Sequence, residues 1–351
     1  MKSREARIVG AGLIGTSIAL RLKERGWLVS IEDVDPTNQA IALDLLGNIA
    51  ESPNPDLIIV ATPPNAILHS IKSAYANNPS ARFIDVGSVK TKVQAEVEVI
   101  PGLVRQYLGT HPISGRELAG PQSARSDLFL GRAWIITPTS STDPDFLRLV
   151  EDFVEEMGSV SYRMSPSEHD KLLAAISHLP QLLSTALGSS IKTYGDAIDL
   201  AGQGLRDMLR LSASSGLLWS EILLANSEAV LESIASLNAD LASIEQALRQ
   251  GDKAGLIKIF DRANEVAQKL SGKHGLRPRE YVFLNIVIED KPGQLAAIFN
   301  ECAEVAANIE DLSLEHSPRQ ETGLIRLALS PEDAHRLSLH LKSKGWRVHL
   351  Q

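Results

Sequence analysis

A histidine between small, turn-forming residues is the first candidate for chemistry in this sequence. His111 stands in the segment Gly109-Thr110-His111-Pro112-Ile113-Ser114-Gly115, directly after the apolar run 103–108. Glycine and proline on both sides favour a fixed loop at the end of an element. An imidazole in such a loop titrates near neutral pH and can serve as a general base. An ordinary loop histidine without a catalytic role is the alternative that the residue types leave open.

A glycine-rich segment near the N-terminus predicts a dinucleotide site. It follows a short apolar strand at 7–9 and precedes a predicted helix from Thr16 to about Arg25. In such a segment the first glycine permits a tight turn and the second lets the backbone approach a pyrophosphate. The third lets the helix pack closely on the strand, with the helix N-terminus facing the phosphates. The expected cofactor-binding residues of this segment are Gly10, Gly12, Leu13, Ile14 and Gly15.

An acidic residue after the second predicted strand, 27–31, extends the dinucleotide site. Asp33 lies 18 residues after Gly15, about where a carboxylate accepts hydrogen bonds from an adenosine ribose. Because its charge would repel a 2′-phosphate, the expected cofactor is NAD rather than NADP. Asp35 competes for this role, and either carboxylate could instead cap the helix that begins at Pro36.

Two further apolar runs, 56–61 and 82–86, alternate with helical stretches. This is the βα pattern of an open parallel sheet. The carboxyl ends of the two strands, at Thr62 and Ser88, should lie along the crevice where such sheets bind ligands. Ser88 could cap the next helix, bind a ligand, or do both.

The sequence from Ser165 to Leu270 shows no convincing strand pattern and predicts a helical block. Within it, Arg206 and Arg210 lie four residues apart on one helical face, with Asp207 beside them. A pair of guanidinium groups could hold a carboxylate substrate through forked hydrogen bonds, and a solvated basic turn is the alternative. His178 precedes Pro180, whose ring would kink its helix.

Apolar residues in the later part of this block recur at alternating steps of four and three. Such spacing is typical of a coiled-coil-like seam. We favour a two-fold dimer built on this seam over a core buried within one chain. The seam residues are Val230, Ile234, Leu237, Leu241, Ile244 and Leu248.

The composition excludes some classes of function. A net charge of −8 argues against nucleic acid as a main partner, because phosphate binding needs a basic face. The single cysteine, Cys302, cannot form an internal disulfide or a cysteine metal cluster, so we expect a cytoplasmic protein with no metal site. Residues 2–20 loosely resemble a signal peptide, but the glycines match a nucleotide loop better. The run is also too short to span a bilayer, so no membrane association is expected.

A linker at 271–278 precedes a second change of pattern. The C-terminal segment predicts the order β-α-β-β-α-β, which is that of a small ferredoxin-like domain, with a hairpin at 317–323. The predicted architecture is therefore an α/β Rossmann-type domain over 1–164, an all-α domain for substrate binding and dimerisation over 165–272, and a ferredoxin-like domain over 279–351.

Several segments together resemble the prephenate dehydrogenase family over residues 7 to about 270. The tail is similar to an ACT domain in the segments 290–296 and 308–309. The segments that carry the family resemblance are the glycine-rich loop, Asp85-Val86-Gly87-Ser88-Val89-Lys90, 109–115, Ser177-His178-Leu179-Pro180, 204–210, Trp219 and Asn226.

The resemblance implies a homodimer that carries out the NAD-dependent oxidative decarboxylation of prephenate to 4-hydroxyphenylpyruvate in tyrosine biosynthesis. His111 would accept the hydroxyl proton, and Ser88 would hold the imidazole and the hydroxyl in line. Arg210 would bind a substrate carboxylate. Supporting roles near the substrate are implied for Arg206, Asp207, Glu117 and His178. Many relatives carry a histidine where this chain has Gln181, which puts any role of that position in doubt.

The ACT resemblance implies feedback by an amino acid, with tyrosine as the natural candidate. Asp290, Gly293 and Asn308 occupy the usual ligand-contact positions of such a domain. A purely structural ACT domain is the alternative.

Three other functions stay open. The first is arogenate dehydrogenase, whose substrate carries an amine where prephenate has a ketone. A 3-hydroxyacid dehydrogenase is disfavoured because the helical block offers no persuasive catalytic lysine. The third is a module that senses NAD and an amino acid without catalysis.

Overall fold

The computed structural model describes residues 4–47, 55–114, 120–270, 281–289, 291–316 and 322–350. The chain forms two compact units, Met1–Ser243 and Ile244–Gln351. The domain boundaries near 164 and 272 stay predictions. None of the described helices is long and apolar enough to cross a membrane.

A seven-stranded sheet forms the N-terminal part of the first unit, in the order β2-β1-β3-β4-β5-β6-β7. Strands β1 to β4 are parallel, as predicted, and β5 is parallel to β4, whereas β6 pairs antiparallel with β5, and β7 is parallel to β6. Between β5 and β6 the described residues contain only a short 3-10 turn, so the chain returns without a crossover helix and the pair is antiparallel. The strands are β1 (Glu5–Val9), β2 (Leu28–Glu32), β3 (Leu57–Val60), β4 (Arg82–Asp85), β5 (Tyr107–Pro112), β6 (Ala133–Thr137) and β7 (Val160–Arg163).

Five helices accompany this sheet. Helix α1 begins at Leu13, three residues before the predicted start. Its buried face packs against the sheet through Ile18 and Leu22, in a core that also contains Ile8, Trp134 and Phe153. The helices are α1 (Leu13–Glu24), α2 (Pro36–Leu46), α3 (Ile67–Asn77), α4 (Thr91–Glu98) and α5 (Pro144–Glu156).

The segment around His111 is a strand and not the predicted loop. In β5, Gly109 pairs with Asp85 of β4 on one side and with Thr137 of β6 on the other. These two pairings override the local turn propensity of the glycine and proline. Pro112 is the last residue of the strand, where the missing amide is tolerated.

The rest of the first unit is helical, which confirms the prediction for residues 165–243. A capping box between Ser165 and Glu168 starts α6, and a π-helical segment, Ala174–His178, joins α6 to α7 directly before Pro180. Proline lacks the amide that would continue the α-helical bonding, and this accounts for the wider turn. The helices are α6 (Pro166–Leu173), α7 (Leu179–Ile191), α8 (Gln203–Leu209), α9 (Gly216–Ala225) and α10 (Ser227–Gln250). Two 3-10 segments, Lys192–Leu200 and Arg210–Ala213, lie between them.

The predicted apolar seam lies on α10 and is only partly buried in one chain. Val230 is 5% exposed, whereas Leu241 is 50% and Leu248 is 63% exposed. Burial of the seam within one chain, the alternative to a dimer, therefore applies only to the first turns of α10.

The second unit has the predicted order of strands and helices. Its strands are antiparallel and lie in the order β11-β8-β10-β9. Helices α12 and α13 contribute to a core around Leu284, Ile286, Leu327, Leu337 and Leu341. The elements are α11 (Lys253–Leu270), β8 (Val282–Glu289), α12 (Gln294–Glu304), β9 (Asp311–His316), β10 (Thr322–Leu329), α13 (Pro331–Ser343) and β11 (Arg347–Leu350). The predicted linker, 271–278, and most of the predicted hairpin lie outside the described residues.

Candidate active site

A cavity of about 1200 Å³ in the first unit lies at the carboxyl ends of the parallel strands. It brings together most of the residues predicted for the cofactor with both residues predicted for catalysis. Leu218 and Ile222 of α9 also line it. The predicted residues in its wall are Gly10, Gly12, Leu13, Ile14, Asp33, Thr62, Ser88 and His111.

Two of the three loop glycines are required by close backbone packing. Gly10 has a φ of 107°, and a Cβ on it would lie 2.5 Å from the carbonyl oxygen of Ala61. A Cβ on Gly15 would overlap the carbonyl oxygen of Gly10, so Gly15 packs beneath the loop and does not line the cavity. Gly12 has open space where its Cβ would be. The loop therefore offers a bare backbone surface to the cavity at Gly12.

The polar groups of the cavity fit a dinucleotide. Gly12 is the N-cap residue of helix α1 and provides no side-chain cap, which leaves first-turn amides available for a phosphate. The hydroxyl oxygens of Thr62 and Ser114 are buried and make no hydrogen bond among the described residues. Both residues line the cavity. Unpaired buried hydroxyls are costly, and a polar ligand in the cavity would satisfy them.

The two competing aspartates have different partners. Asp35 caps α2 by accepting a hydrogen bond of 2.8 Å from the amide of Thr37. Asp33 accepts one of 2.6 Å from the amide of Ala11, within the glycine-rich loop, and a second from the amide of Asp35. Asp33 therefore holds the glycine-rich loop against the end of β2, with its carboxylate at the cavity wall.

The imidazole of His111 is joined to a second imidazole. Nδ1 of His111 lies 2.9 Å from Nε2 of His169 on α6, and Nδ1 of His169 lies 2.7 Å from Oδ1 of Asp170. His169 is fully buried. Because Nδ1 of His111 is engaged in this way, Nε2 is the ring nitrogen that stays free for a ligand.

Asp170 is held in place from several sides. Its Oδ1 accepts a hydrogen bond of 2.8 Å from the amide of Lys90, and its Oδ2 accepts one of 2.8 Å from the amide of Thr91. The carboxylate thus takes the first amides of α4, a favourable position for a negative charge. Burial raises the pKa of Asp170, but the hydrogen bonds from His169, Thr91 and Lys90 outweigh it, so the pKa is lowered and the group is ionised.

His111 is neutral at physiological pH. Burial lowers its pKa well below the usual value of 6.5, and the nearby His169 and Lys90 lower it further. A neutral imidazole with one free nitrogen at the cavity wall can accept a proton from a hydroxyl group.

Ser88 lies in the same cavity as His111, but the partner of the imidazole is His169. Among the described residues Ser88 makes no hydrogen bond to the His111 ring, so the expected contact between them is absent from this structure. Ser88 is also not the cap of α4, because Lys90 occupies that position. The serine hydroxyl is left available to a ligand.

A buried polar cluster supports β5 next to His111. Lys90 and Asp85 form an ion pair, and Nζ of Lys90 also donates to the carbonyl oxygen of Thr110, at 2.9 Å. The hydroxyl of Tyr107 donates to Asp85 at 2.6 Å. Burial lowers the pKa of Lys90, and Asp85 offsets part of that shift. The cluster fixes the backbone from which His111 projects.

His169 and Asp170 are not among the site residues predicted from the sequence. They stand near the start of α6, 58 residues or more after His111, and no spacing rule connects two residues so far apart. The signal that could have found them is a histidine followed directly by an aspartate at a helix start, two residue types that commonly form a hydrogen-bonded pair.

His178 lies away from the cavity wall. It is buried in the π-helical segment, with its Nδ1 3.2 Å from Nδ2 of Asn226 and its ring 6.0 Å from that of Trp219. Burial lowers its pKa to about 4. Gln181 is also buried, and its amide donates to the carbonyl oxygen of Leu211, which ties α7 to the segment after α8.

The predicted substrate-binding arginines do not line the cavity in one chain. Arg206 and Asp207 are exposed on α8, where Arg206 bonds to the carbonyl oxygen of Ala201 and Asp207 accepts from Gln203. Arg210 is exposed at the start of the following 3-10 segment. Glu117 lies outside the described residues.

The predicted regulatory residues lie in the second unit. Gly293 precedes α12 in the left-handed conformation, with a φ of 90°, which favours glycine. The side-chain amide of Asn308 donates to Glu310 at 2.7 Å. Asp290 lies outside the described residues.

Comparison with protein-family models gives two adjacent matches. Residues 18–163 match the model described as prephenate dehydrogenase, nucleotide-binding domain. Residues 165–262 match the model described as prephenate dehydrogenase, dimerization domain. Together the two matches span most of the first unit and the start of the second.

Comparison with curated proteins and solved structures agrees with the family models. A probable prephenate dehydrogenase of Streptomyces niveus is 27% identical, over 98% of this chain and 99% of its own length. A crystal structure of prephenate dehydrogenase from Aquifex aeolicus with hydroxyphenyl propionate and NAD+ superposes with a TM-score of 0.72. It is 26% identical and covers 77% of this chain and 99% of its own. A Synechocystis arogenate dehydrogenase structure is also 26% identical, with a TM-score of 0.65, and covers 76% of this chain and 99% of its own.

Proposed function

This chain belongs to the prephenate dehydrogenase family, and we propose that it catalyses the oxidative decarboxylation of prephenate to 4-hydroxyphenylpyruvate. It is an NAD-dependent oxidoreductase, in keeping with its relatives and with the NAD+ complex of the Aquifex structure. The observation that carries the proposal is the neutral imidazole of His111 in the same cavity as the glycine-rich loop and Asp33.

The cofactor residues divide the cavity into two functional parts. Gly12 and the first turn of α1 would hold the pyrophosphate, and Asp33 would accept hydrogen bonds from the adenosine ribose. NAD supplies the hydride acceptor when it is bound. Ser88 follows strand β4, and His111 lies in strand β5. In the sheet order both strands lie on the side of β1 opposite to β2, and the two residues would face the substrate.

The reaction needs a base at the substrate hydroxyl group. A hydride leaves the ring carbon that carries the hydroxyl, and the hydroxyl proton passes to Nε2 of His111. The bond to the ring carboxylate then breaks, and its electron pair completes the aromatic ring as CO2 leaves. The former carbonyl oxygen takes back the proton from His111 and becomes the phenolic hydroxyl of the product. Proton removal helps most in the transition state, because loss of the hydride makes the carbon electron-poor. The Ser88 hydroxyl would hold the substrate hydroxyl in line with the imidazole.

The substrate carboxylates need a cation. Arg210 is our candidate, with Arg206, Asp207 and Glu117 as nearby charges and His178 as a supporting residue. Since Arg210 does not line the cavity in one chain, its contact with substrate requires a second chain or a closing movement of the helices.

A homodimer is supported by the helical part of the first unit. Residues 165–262 match a dimerization domain, and large apolar side chains on these helices are exposed in one chain. An interface between two chains would bury such side chains. Among them are Tyr194, Leu200, Leu217, Leu224 and Leu231.

We further propose that residues 279–351 form an ACT domain that binds tyrosine. The support is the β-α-β-β-α-β order with the sheet order β11-β8-β10-β9, and the left-handed Gly293 at the start of α12. The amides at that helix start would receive the amino-acid carboxylate. Asp290 and Asn308 would contact the same ligand.

Arogenate is the second candidate substrate, because a Synechocystis arogenate dehydrogenase is among the similar structures. The two substrates share the ring and differ in an amine or a ketone on the side chain. Turnover of each, followed by NADH absorbance, decides between them.

The decisive experiment combines that assay with the variant His111→Asn. We expect prephenate-dependent NADH formation in the native chain and a loss of roughly 10²- to 10⁴-fold in kcat in the variant. NAD affinity, measured by calorimetry, should be unchanged. NAD binding without any NADH formation in the native chain would favour the sensing module, and native turnover in the variant would refute the role of His111.

A further inference from the structure

The chain of contacts from His111 through His169 to Asp170 determines where protons sit. The first contact joins Nδ1 of His111 to Nε2 of His169 at 2.9 Å, and the second joins Nδ1 of His169 to Oδ1 of Asp170 at 2.7 Å. In each contact one atom must donate and the other accept. Which atom donates in each of these hydrogen bonds therefore depends on Asp170, the buried end of the series.

The buried end of the chain can only accept. Both carboxylate oxygens of Asp170 receive backbone amides, from Lys90 and Thr91, and an amide can only donate. The lowered pKa of Asp170 agrees with an ionised group. Nδ1 of His169 must therefore carry a proton and donate it to Asp170.

The protonation state of His169 decides the next step. Burial lowers the pKa of His169, although Asp170 raises it in part, and the ring is neutral at physiological pH. A neutral ring with its proton on Nδ1 has a lone pair on Nε2 and can only accept there. Nδ1 of His111 must then be the donor. The proton of the neutral His111 ring is thus on Nδ1, and the lone pair of its Nε2 is exposed to the cavity.

We propose that His169 is a positioning residue that holds the proton of His111 on Nδ1, so that Nε2 is always the free base. This inference rests on the proposed function, in which Nε2 receives the substrate proton. After His111 has accepted that proton, its charged ring still donates a hydrogen bond to His169. His169 in turn donates to Asp170, so the negative charge of Asp170 lies two hydrogen bonds from the charged ring. A histidine base oriented by a buried carboxylate is a known arrangement, and loss of the correct tautomer there is strongly damaging to catalysis.

The tautomer can be read directly, without substrate, by 15N NMR of the protein labelled at histidine. In the native chain we expect His111 to show a protonated Nδ1 and an unprotonated Nε2 at pH above 7, with its signals assigned by their absence in His111→Asn. In His169→Leu the directing acceptor is gone, and we expect a mixture of the two tautomers. A protonated Nε2 of His111 in the native chain would overturn the proposal, as would an unchanged tautomer in His169→Leu.

Kinetics give the second readout. In His169→Leu we expect kcat to fall roughly 10- to 1000-fold, with KM for prephenate changed by no more than about twofold, because the base is misdirected and not removed. His169→Gln should recover part of the loss, since its side-chain oxygen can accept the proton of Nδ1. Equal losses in His169→Leu and His169→Gln would contradict a role through hydrogen bonding.

A control separates the tautomer from simple damage to the fold. Leu173 lies one turn after His169 on α6 and is also buried. The variant Leu173→Ala therefore leaves a cavity in the same helix but keeps the side chains of His111, His169 and Asp170. It should lower the unfolding temperature but leave the His111 tautomer and kcat unchanged. If His169→Leu does not fold, the native spectrum and His169→Gln still decide the matter. If the native chain shows the expected tautomer but oxidises neither prephenate nor arogenate, the proposed function fails alone.

Discussion

Lys90 and Asp85 form an ion pair in which both side chains are almost wholly removed from solvent. The pair lies behind β5, where Lys90 also bonds to the backbone carbonyl of Thr110, the residue before His111. Tyr107 donates to the other oxygen of the same carboxylate. Strand β5 is therefore anchored by a buried polar cluster and not by apolar packing alone.

Removing the lysine should destabilise the protein strongly. Lys90→Met leaves the Asp85 carboxylate buried without its cation, a change that costs about 3–5 kcal/mol in the free energy of unfolding. Urea unfolding followed by circular dichroism measures this. Lys92→Met, two residues on and exposed, is the matched control and should change the free energy by less than about 0.5 kcal/mol. Similar stabilities of the two variants would show that the ion pair contributes little.

The activity should persist at mildly acidic pH. The base must be unprotonated, and burial lowers the pKa of His111 well below 6.5. The value of kcat/KM should therefore fall only as the pH drops through that lowered pKa, and not near 6.5, where a free imidazole titrates. A pH profile of kcat/KM for prephenate measures this, with the stability of the protein checked at each pH. An acidic limb at or above 6.5 would contradict the burial of a neutral base.

Arg210 should contribute to the binding of prephenate but not to the binding of NAD. We expect Arg210→Gln to raise KM for prephenate roughly 10- to 100-fold, since a charged hydrogen bond contributes about 1.5–3 kcal/mol. The KM for NAD should stay within about twofold of the native value. Arg148→Gln, an exposed arginine on α5, is the control and should leave both constants unchanged. An unaltered KM for prephenate in Arg210→Gln would assign the carboxylate to another residue.

The tail should carry the response to tyrosine. We expect tyrosine to lower the activity of the intact chain and to have no effect on a chain that ends at about residue 272. Asn308→Ala tests the same point without truncation and should raise the tyrosine concentration for half-inhibition, with kcat unchanged. Steady-state assays over a tyrosine series measure both. Equal inhibition of the intact and shortened chains would place tyrosine outside the tail.

Much of the fold follows from local sequence patterns. The glycine-rich loop, the alternation of apolar strands with helices and the order of elements in the tail depend on residues close together in the chain. Glycine at 10 and 15 is required by contacts with neighbouring backbone, and this requirement is visible in the spacing alone. For the same reason several residues of the cavity wall could be predicted, namely Gly10, Gly12, Leu13, Ile14, Asp33 and Thr62, whereas Gly15 lies beneath the loop.

One local prediction failed because distant strands decide the outcome. Turn propensity favoured a loop around His111, but pairing with β4 and β6 extends the strand through Pro112. The antiparallel direction of β6 likewise follows from the path of the chain, because the described residues between β5 and β6 contain no crossover helix. Backbone hydrogen bonds with neighbouring strands outweigh the preference of a few residues.

The sequence by itself determined that this chain binds a dinucleotide in an α/β domain and that an imidazole stands near it. Only the tertiary structure decided what that imidazole contacts. His169 and Asp170 reach His111 because α6 packs against α4 and β6, and the amides of Lys90 and Thr91 hold the carboxylate there. The partners in these hydrogen bonds are separated by 58 residues in one case and by 80 in another. No sequence pattern predicts such pairs, because their geometry is set by the packing of whole elements.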